Sequence, residues 1–287
     1  MDFRLTEDQR ALRRGARDLL LRRFDRDALR AAAASGALDR KLWRELGAAG
    51  FFALRLPEEE GGAGLGLPEA VLLFEEAGRA LLPGPLVATH MAAGAVPGAA
   101  EGETVVTSVD EGLVPWLDEA DVVLGEVTGA VPMRSVDPLT PLHRVPGRGG
   151  ATGPLEAVLL TAAEQVGSAE ASTEAAVGYA RGRKQFGQAI GGFQAVKHLC
   201  AGMLVRTELA RAAVRAASVT ADPVEIAGAK LLADDAATGN ARDCLQVHGG
   251  MGFTWEADVH LHLKRAWVRA RLRLPAARAE EAVAAAL

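Results

Sequence analysis

Apolar residues recur at helical spacing near the start of the chain. One helical face carries Leu12, Ala16, Leu19 and Leu20. Thr6 and Gln9 stand three residues apart just before it, as in a capping box that begins a helix. Asp39 is placed to cap a second helix that Gly50 would end, and a further apolar pattern begins near Pro68. The first hundred residues are therefore predicted to be helical.

The pattern changes after this helical region. Short runs rich in β-branched residues, separated by Gly, Pro and Asp, predict strands at 105–109, 122–124 and 127–133. Helical periodicity returns at Pro154 and predicts four helices. The first would run from Pro154 to about Arg181, and the second would begin near Gly192. The third would begin at the cap formed by Asp222 and Pro223, and the fourth would follow Gly252 and end before Pro275.

The order of these elements indicates a mainly α (α+β) chain. We predict an N-terminal helical domain at 1–100, a small middle β domain at 101–150 and a C-terminal helical bundle domain at 151–287.

Composition narrows the function classes. The net charge of −5 gives none of the basic excess of nucleic-acid-binding proteins. Cys200 and Cys244 lack the spacing of metal ligands, so no metal site is predicted. The apolar runs are too short to span a membrane, and no signal peptide is recognisable, so a cytoplasmic protein is expected.

The first candidate site is the segment 181–190, Arg-Gly-Arg-Lys-Gln-Phe-Gly-Gln-Ala-Ile, followed by Phe193 and Gln194. An arginine at such a corner can hold an anionic group with several donors, and glycine lets a ligand approach the backbone. The alternative is a helix end that carries cations because they interact well with the helix dipole.

Two further segments are weaker candidates. At 246–253, a Gly-Gly-Met-Gly turn follows Gln246 and His248, and its backbone N–H groups could face a phosphate. The alternative is an ordinary helix-ending turn with a structural histidine. The glycine-rich loop 57–64 and the segment 75–79 border either a ligand cleft or a plain surface connection.

Taken together, these segments resemble the acyl-CoA dehydrogenase family. The N-terminal resemblance rests on 43–50, 56–58, the glycine-rich loop that follows and 74–79. The C-terminal resemblance rests on 179–194 and 246–253. It implies an N-terminal helical domain, a middle β domain, a C-terminal four-helix domain and a tetrameric assembly. It also implies FAD bound across a subunit interface.

The resemblance assigns cofactor contacts to particular residues. Arg183 would address the FAD pyrophosphate, Gln185 and Phe186 the neighbouring groups, and Gln194 an additional contact. A second patch on the ADP half of FAD would comprise Gln246, Gly249 and Gly250. In the family, both patches serve the FAD that is held mainly by a neighbouring subunit.

The catalytic base of the family is missing from its usual places. The family's Glu-Gly-Thr segment would fall at Arg273, where no such segment exists. The alternative position for the base falls on Ala157. Glu156 is adjacent to it, but one residue turns a helical side chain by about 100°, so Glu156 stays a weak candidate.

The middle section also lacks the family's flavin-holding loop and strand. These departures imply a shortened subunit that completes the FAD site of a full-length homologue, in a heteromer such as α2β2. The substrate would be an acyl-CoA and the electron acceptor an electron-transfer flavoprotein. The sequence of residues 253–258, Phe-Thr-Trp-Glu-Ala-Asp, resembles that of actinobacterial heteromeric dehydrogenases that act on steroid side-chain CoA thioesters.

Two alternatives stay open from the sequence. One is a self-sufficient homomeric dehydrogenase that uses Glu156 as its base. The other is a redox-silent scaffold that keeps the fold without the flavin.

Overall fold

The computed structural model describes residues 4–147 and 153–286. The predicted boundary between the middle and C-terminal domains, at 150/151, lies outside the described residues. The helices of the N-terminal part are α1 (Glu7–Arg23), α2 (Arg26–Ser35), α3 (Arg40–Ala48), α4 (Leu67–Arg79) and α5 (Leu86–Ala92). The mainly α fold with a short sheet region is as predicted.

Short strands follow this helical part. They are β1 (Val106–Ser108), β2 (Leu113–Pro115), β3 (Val122–Leu124), β4 (Val131–Met133) and β5 (Leu142–Arg144). β1 and β3 pair in parallel, whereas β5 lies between β2 and β4 in an antiparallel sheet. The sequence did not predict β2 and β5, because β5 contains no β-branched residue and β2 contains only Val114.

The C-terminal part consists of long helices around a small hairpin. They are α6 (Leu155–Gly182), α7 (Gln194–Thr220), α8 (Pro223–His248), α9 (Val259–Arg269) and α10 (Ala276–Ala284), with the hairpin strands β6 (Lys184–Gln185) and β7 (Gln188–Ala189) after α6. The described helices include none that is long and apolar enough to cross a membrane.

Side-chain caps begin several of these helices as the sequence predicts. The Gln9 backbone N–H donates to Thr6 Oγ1 at 3.1 Å, and the Thr6 N–H donates back to the Gln9 side chain. The Asp39 carboxylate accepts from two backbone N–H groups of α3. Asp222 does the same for α8, where Pro223 occupies the first turn without losing a needed donor.

The core centres on α6, which packs against α4, α7 and α8. Two glycines let α4 and α6 approach until their backbones touch. A Cβ on Gly78 would lie 2.0 Å from the Glu164 carbonyl oxygen, and a Cβ on Gly167 would lie 1.8 Å from the Glu75 carbonyl oxygen. Any larger residue at either position would push the two helices apart.

Ion pairs fasten α1 and α7 to α4. Glu76 is buried and accepts from Arg13 and Arg17, each at 2.7 Å. The buried Glu75 pairs with Arg215 at 2.9 Å. Both carboxylates are buried, so removing their arginine partners would leave a charge uncompensated in the interior. From the sequence, the segment 75–79 was a possible border of a ligand cleft. In the structure its glutamates take part in the packing of helices.

Candidate functional site

The segment 181–190 forms the end of α6 and the β6–β7 hairpin. Arg183 caps α6, and its backbone N–H donates to the Tyr179 carbonyl oxygen at 2.8 Å. Phe186 and Gly187 both have positive φ values, 50° and 81°, which suits the tight turn of a two-residue hairpin. Phe186 is 92% exposed and meets Phe193 edge to face. The hairpin thus projects its side chains away from the protein.

The second patch lies at the C-terminal end of α8. His248 is the last residue of the helix, and Gly249, with φ at 60°, turns the chain into a short 3₁₀ segment at Gly249–Phe253. A Cβ added to Gly249 or Gly250 would meet no described atom within 4 Å. The backbone at this turn is therefore open to an incoming group.

A stacked ring pair brings the two patches together at one end of the helical bundle. The rings of Tyr179 and His248 lie 4.1 Å apart with 26° between their planes. His248 Nδ1 lies 2.8 Å from the Cys244 carbonyl oxygen, so this nitrogen carries the proton and donates to it. Tyr179 lies one helical turn before Arg183, and His248 directly precedes Gly249. The ring contact therefore connects the first patch to the second.

A buried polar hub supports this end of the bundle, and the sequence did not reveal it. The Asn240 side-chain NH₂ lies 2.8 Å from Thr207 Oγ1 and 2.9 Å from the Met203 carbonyl oxygen. Its amide oxygen accepts from Arg206 Nε at 2.8 Å. The only signal in the sequence was an asparagine in the middle of a predicted helix, where this residue type is unfavourable, and the structure shows that it is fully buried.

The donor set at the two patches suits the diphosphate of FAD. Arg183, Gln185, Gln194 and Gln246 are all exposed. No carboxylate pairs with Arg183 among the described residues. Guanidinium, amide and backbone N–H donors are the groups that bind phosphate oxygens. Both patches are open on their outer side, so another molecule can reach these donors.

The position expected for a catalytic base holds a buried arginine. Arg273 has a φ of 49°, and its backbone N–H donates to Asp110 Oδ2 at 2.9 Å. Its guanidinium Nε lies 3.8 Å from the same oxygen. Burial raises the pKa of Asp110, although the neighbouring Arg273 acts in the opposite direction. This pair is fixed inside the protein and presents no free carboxylate to a substrate.

The cavity beside Arg273 is small and filled with paired charges. Its volume is about 40 Å³, whereas ligand pockets usually measure roughly 300–1,000 Å³. Arg265 is paired with Asp137, and Arg269 Nη2 donates to Glu164 at 2.7 Å. The residues at this position do not fit a flavin ring held by this chain.

The carboxylate of Glu156 is also held in an ion pair. Its two carboxylate oxygens each accept from an Arg55 guanidinium nitrogen at 2.9 Å. The Arg55 hydrogen bonds lower the pKa of Glu156, which makes it a weaker proton acceptor. Ala157, at the family's alternative base position, is buried in the core.

Comparison with known proteins identifies the family. A sequence model of the acyl-CoA dehydrogenase N-terminal domain matches residues 6–103, and one of the C-terminal domain matches residues 157–274. Acyl-CoA dehydrogenase IpdE2 of Mycobacterium tuberculosis is 38% identical over 300 aligned positions, which cover 93% of each protein.

Two solved structures share the fold at a TM-score of 0.86. One is a chain of the ChsE4–ChsE5 complex from Mycobacterium tuberculosis, with 22% identity over 99% of this chain and 98% of that chain. The other belongs to a variant of the Tcur3481–Tcur3483 steroid ACAD, with 24% identity over 97% of both chains. The extent of these matches leaves no alternative fold, and the chain belongs to the acyl-CoA dehydrogenase family.

Proposed function

We propose that this chain is the shortened subunit of a heteromeric acyl-CoA dehydrogenase. It contributes one wall of the site for the ADP half of a partner subunit's FAD and carries no catalytic base. One contrast carries the proposal. The donors at Arg183, Gln185 and the Gly249–Gly250 turn are exposed, whereas the base position is filled by the buried Arg273–Asp110 pair.

The charge distribution supports the role on the ADP half. Arg181, Arg183 and Lys184 are exposed at the hairpin, and no described carboxylate pairs with them. A pyrophosphate brings negative charge to this corner and would form short, charge-assisted hydrogen bonds with them. Phe186 stands beside these cations and offers an apolar ring to the adjoining part of the cofactor.

Three buried arginines argue against a flavin held by this chain alone. Arg265, Arg269 and Arg273 surround the small cavity, and each one is paired with a buried carboxylate. Opening this space to a flavin ring would separate ion pairs in a low-dielectric interior, which costs several kcal/mol, roughly 3–5 for each pair broken from one side.

An exposed apolar stripe on α7 supports association with a partner. Leu204, Val205, Leu209 and Val219 are each more than half exposed. Apolar patches of this kind on a folded protein mark contact surfaces. A bundle that buries this stripe against another subunit would also bring its open hairpin and glycine turn up to that subunit.

The relatives suggest the substrate class and the assembly. The ChsE4–ChsE5 structure is described as a complex, and Tcur3481–Tcur3483 as a steroid ACAD. By analogy we propose an α2β2 complex with a full-length homologue. The complex would desaturate an acyl-CoA thioester whose acyl group is the side chain of a steroid. An electron-transfer flavoprotein would accept its electrons. A cytoplasmic location stays a prediction from the sequence.

In the proposed complex FAD supplies the acceptor for the hydride that leaves the acyl chain. The residues of this chain do not touch that hydrogen. Arg183, Gln185 and the glycine turn hold and orient the diphosphate, and the stacked Tyr179–His248 pair keeps the two patches at a fixed spacing. The proton acceptor is expected from the partner subunit.

The visible spectrum of the purified chain tests the proposal. Expressed alone, the chain should be colourless, and co-expressed with a full-length homologue it should form a yellow complex that oxidises an acyl-CoA. A chain that binds stoichiometric FAD alone and turns over an acyl-CoA would overturn the proposal in favour of the homomeric alternative. A colourless mixed complex would favour the redox-silent scaffold.

A further inference from the structure

A groove separate from the FAD-binding end lies between the three-stranded sheet and the C-terminal end of α9. Its volume is about 530 Å³. α9 has 11 residues, so the groove is roughly 16 Å along the helix from the end that follows the glycine turn. The sheet forms one wall of this groove and the segment from Trp267 to Arg271 forms the other.

The walls of the groove carry arginines without partners. Arg144 lies on β5, Arg134 directly follows β4, and Arg271 lies two residues after the end of α9. All three are exposed, and among the described residues none has a carboxylate within salt-bridge distance. The lining includes the acidic side chain of Glu111, which is paired with Arg278. The groove is therefore positive in a protein whose net charge is −5.

The floor of the groove is apolar. Leu142 and Val268 belong to a buried cluster against which Leu113 and Met133 pack. Trp267 stands at the rim with 41% of its surface exposed. An indole face next to guanidinium groups is a surface on which flat rings pack well.

The strand register places one of these cations over the apolar floor. Arg144 on β5 is directly opposite Leu113 of β2 and Val131 of β4. Opposite residues share a face of the sheet, so Arg144 stands between two apolar side chains. A ligand on the floor can therefore reach this guanidinium without leaving the apolar surface.

We propose that this groove binds a small organic anion that carries a flat apolar ring system next to its charged group. The carboxylate, phosphate or sulfonate would lie between Arg144 and Arg271, where planar guanidinium forks can bind it with paired hydrogen bonds. The ring system would rest on Leu142 and Val268 and against Trp267. The site does not depend on the FAD-binding role of the chain.

The test uses 8-anilinonaphthalene-1-sulfonate as the probe, titrated into the full chain and followed by fluorescence. Arg144→Gln and Arg271→Gln should each weaken binding by about fivefold or more, because each removes a charged hydrogen-bond donor. Arg44→Gln, an exposed arginine outside the groove, is the matched control and should bind as the unchanged protein does. The uncharged analogue N-phenyl-1-naphthylamine should bind at least about tenfold more weakly.

Three results would overturn the proposal. The first is probe binding that neither groove substitution changes. The second is a loss of binding in Arg183→Gln, which would assign the probe to the hairpin at the other end. The third is equal binding of the charged and uncharged probes, which would indicate an apolar surface with no anion specificity. Urea midpoints of all variants should coincide, which separates lost binding from lost folding.

Discussion

The stack between Tyr179 and His248 should control how well the mixed complex holds FAD. The ring of Tyr179 lies 4.1 Å from that of His248, and no described hydrogen bond holds its phenol oxygen. Tyr179→Leu removes the ring, whereas Tyr179→Phe keeps it. The first substitution frees the hairpin from the glycine turn, and the second leaves the two patches at the same spacing.

The magnitude follows from the geometry of the pair. An aromatic pair contributes about 0.5–1.5 kcal/mol beyond the apolar area it buries. If that energy holds the two patches in their binding arrangement, its loss reduces the population of that arrangement by the same amount. The Kd for FAD should then rise roughly two- to tenfold in Tyr179→Leu.

The assay is a titration of FAD into the cofactor-free mixed complex, followed by quenching of flavin fluorescence, with unfolding in urea measured in parallel. Tyr179→Phe should match the unchanged complex in both. An unchanged Kd for FAD in Tyr179→Leu, together with a lower free energy of unfolding, would show that the stack stabilises the bundle without positioning the cofactor site.

Three further predictions concern other pairs and the pH dependence of stability. Glu156→Gln should leave acyl-CoA turnover of the mixed complex unchanged and cost at most about 1 kcal/mol of unfolding free energy, because its pair with Arg55 is partly exposed; lost turnover in a steady-state assay would restore Glu156 as the base. Arg265→Met should lower the free energy of unfolding in urea by about 3–5 kcal/mol, because it leaves the carboxylate of Asp137 buried without its cation; a loss below about 1 kcal/mol would contradict this. Burial lowers the pKa of His90 to about 4, below its ordinary value of 6.5, so on acidification the unfolded chain takes up this proton first. From pH 6.5 down to about pH 4, His90 should therefore contribute a loss of stability of about 1 kcal/mol per pH unit, and His90→Gln should reduce the slope of the urea-derived profile by that amount in that range.

The long periodic helices were predictable because their apolar faces and caps are local signals. The Asp39 and Asp222 caps are confirmed, and α6, α7 and α8 begin within a few residues of the predicted positions. α2 was missed because it is rich in alanine and none of its side chains is buried. α5 was missed because nearly all its residues are buried, so no polar face marks its period.

The candidate site was also only partly predictable from the sequence. The hairpin and the glycine turn could be found because each is encoded by one short, continuous segment. Their proximity could not, because it depends on a ring contact between Tyr179 and His248, far apart along the chain. No local pattern indicates that Asp110 pairs with Arg273, since that contact spans 163 positions and forms only when the sheet region packs on the end of the bundle.

The FAD content of the mixed complex with Arg183→Gln in this chain alone tests the central claim most directly. Arg14→Gln, an exposed arginine on α1, is the matched control, and native mass spectrometry reports the subunit ratio. We predict that Arg183→Gln leaves the complex assembled but weakens FAD binding roughly tenfold or more, because a charged donor to the diphosphate is lost. An intact complex that retains FAD as tightly as the control would contradict the claim that this chain helps to build its partner's cofactor site.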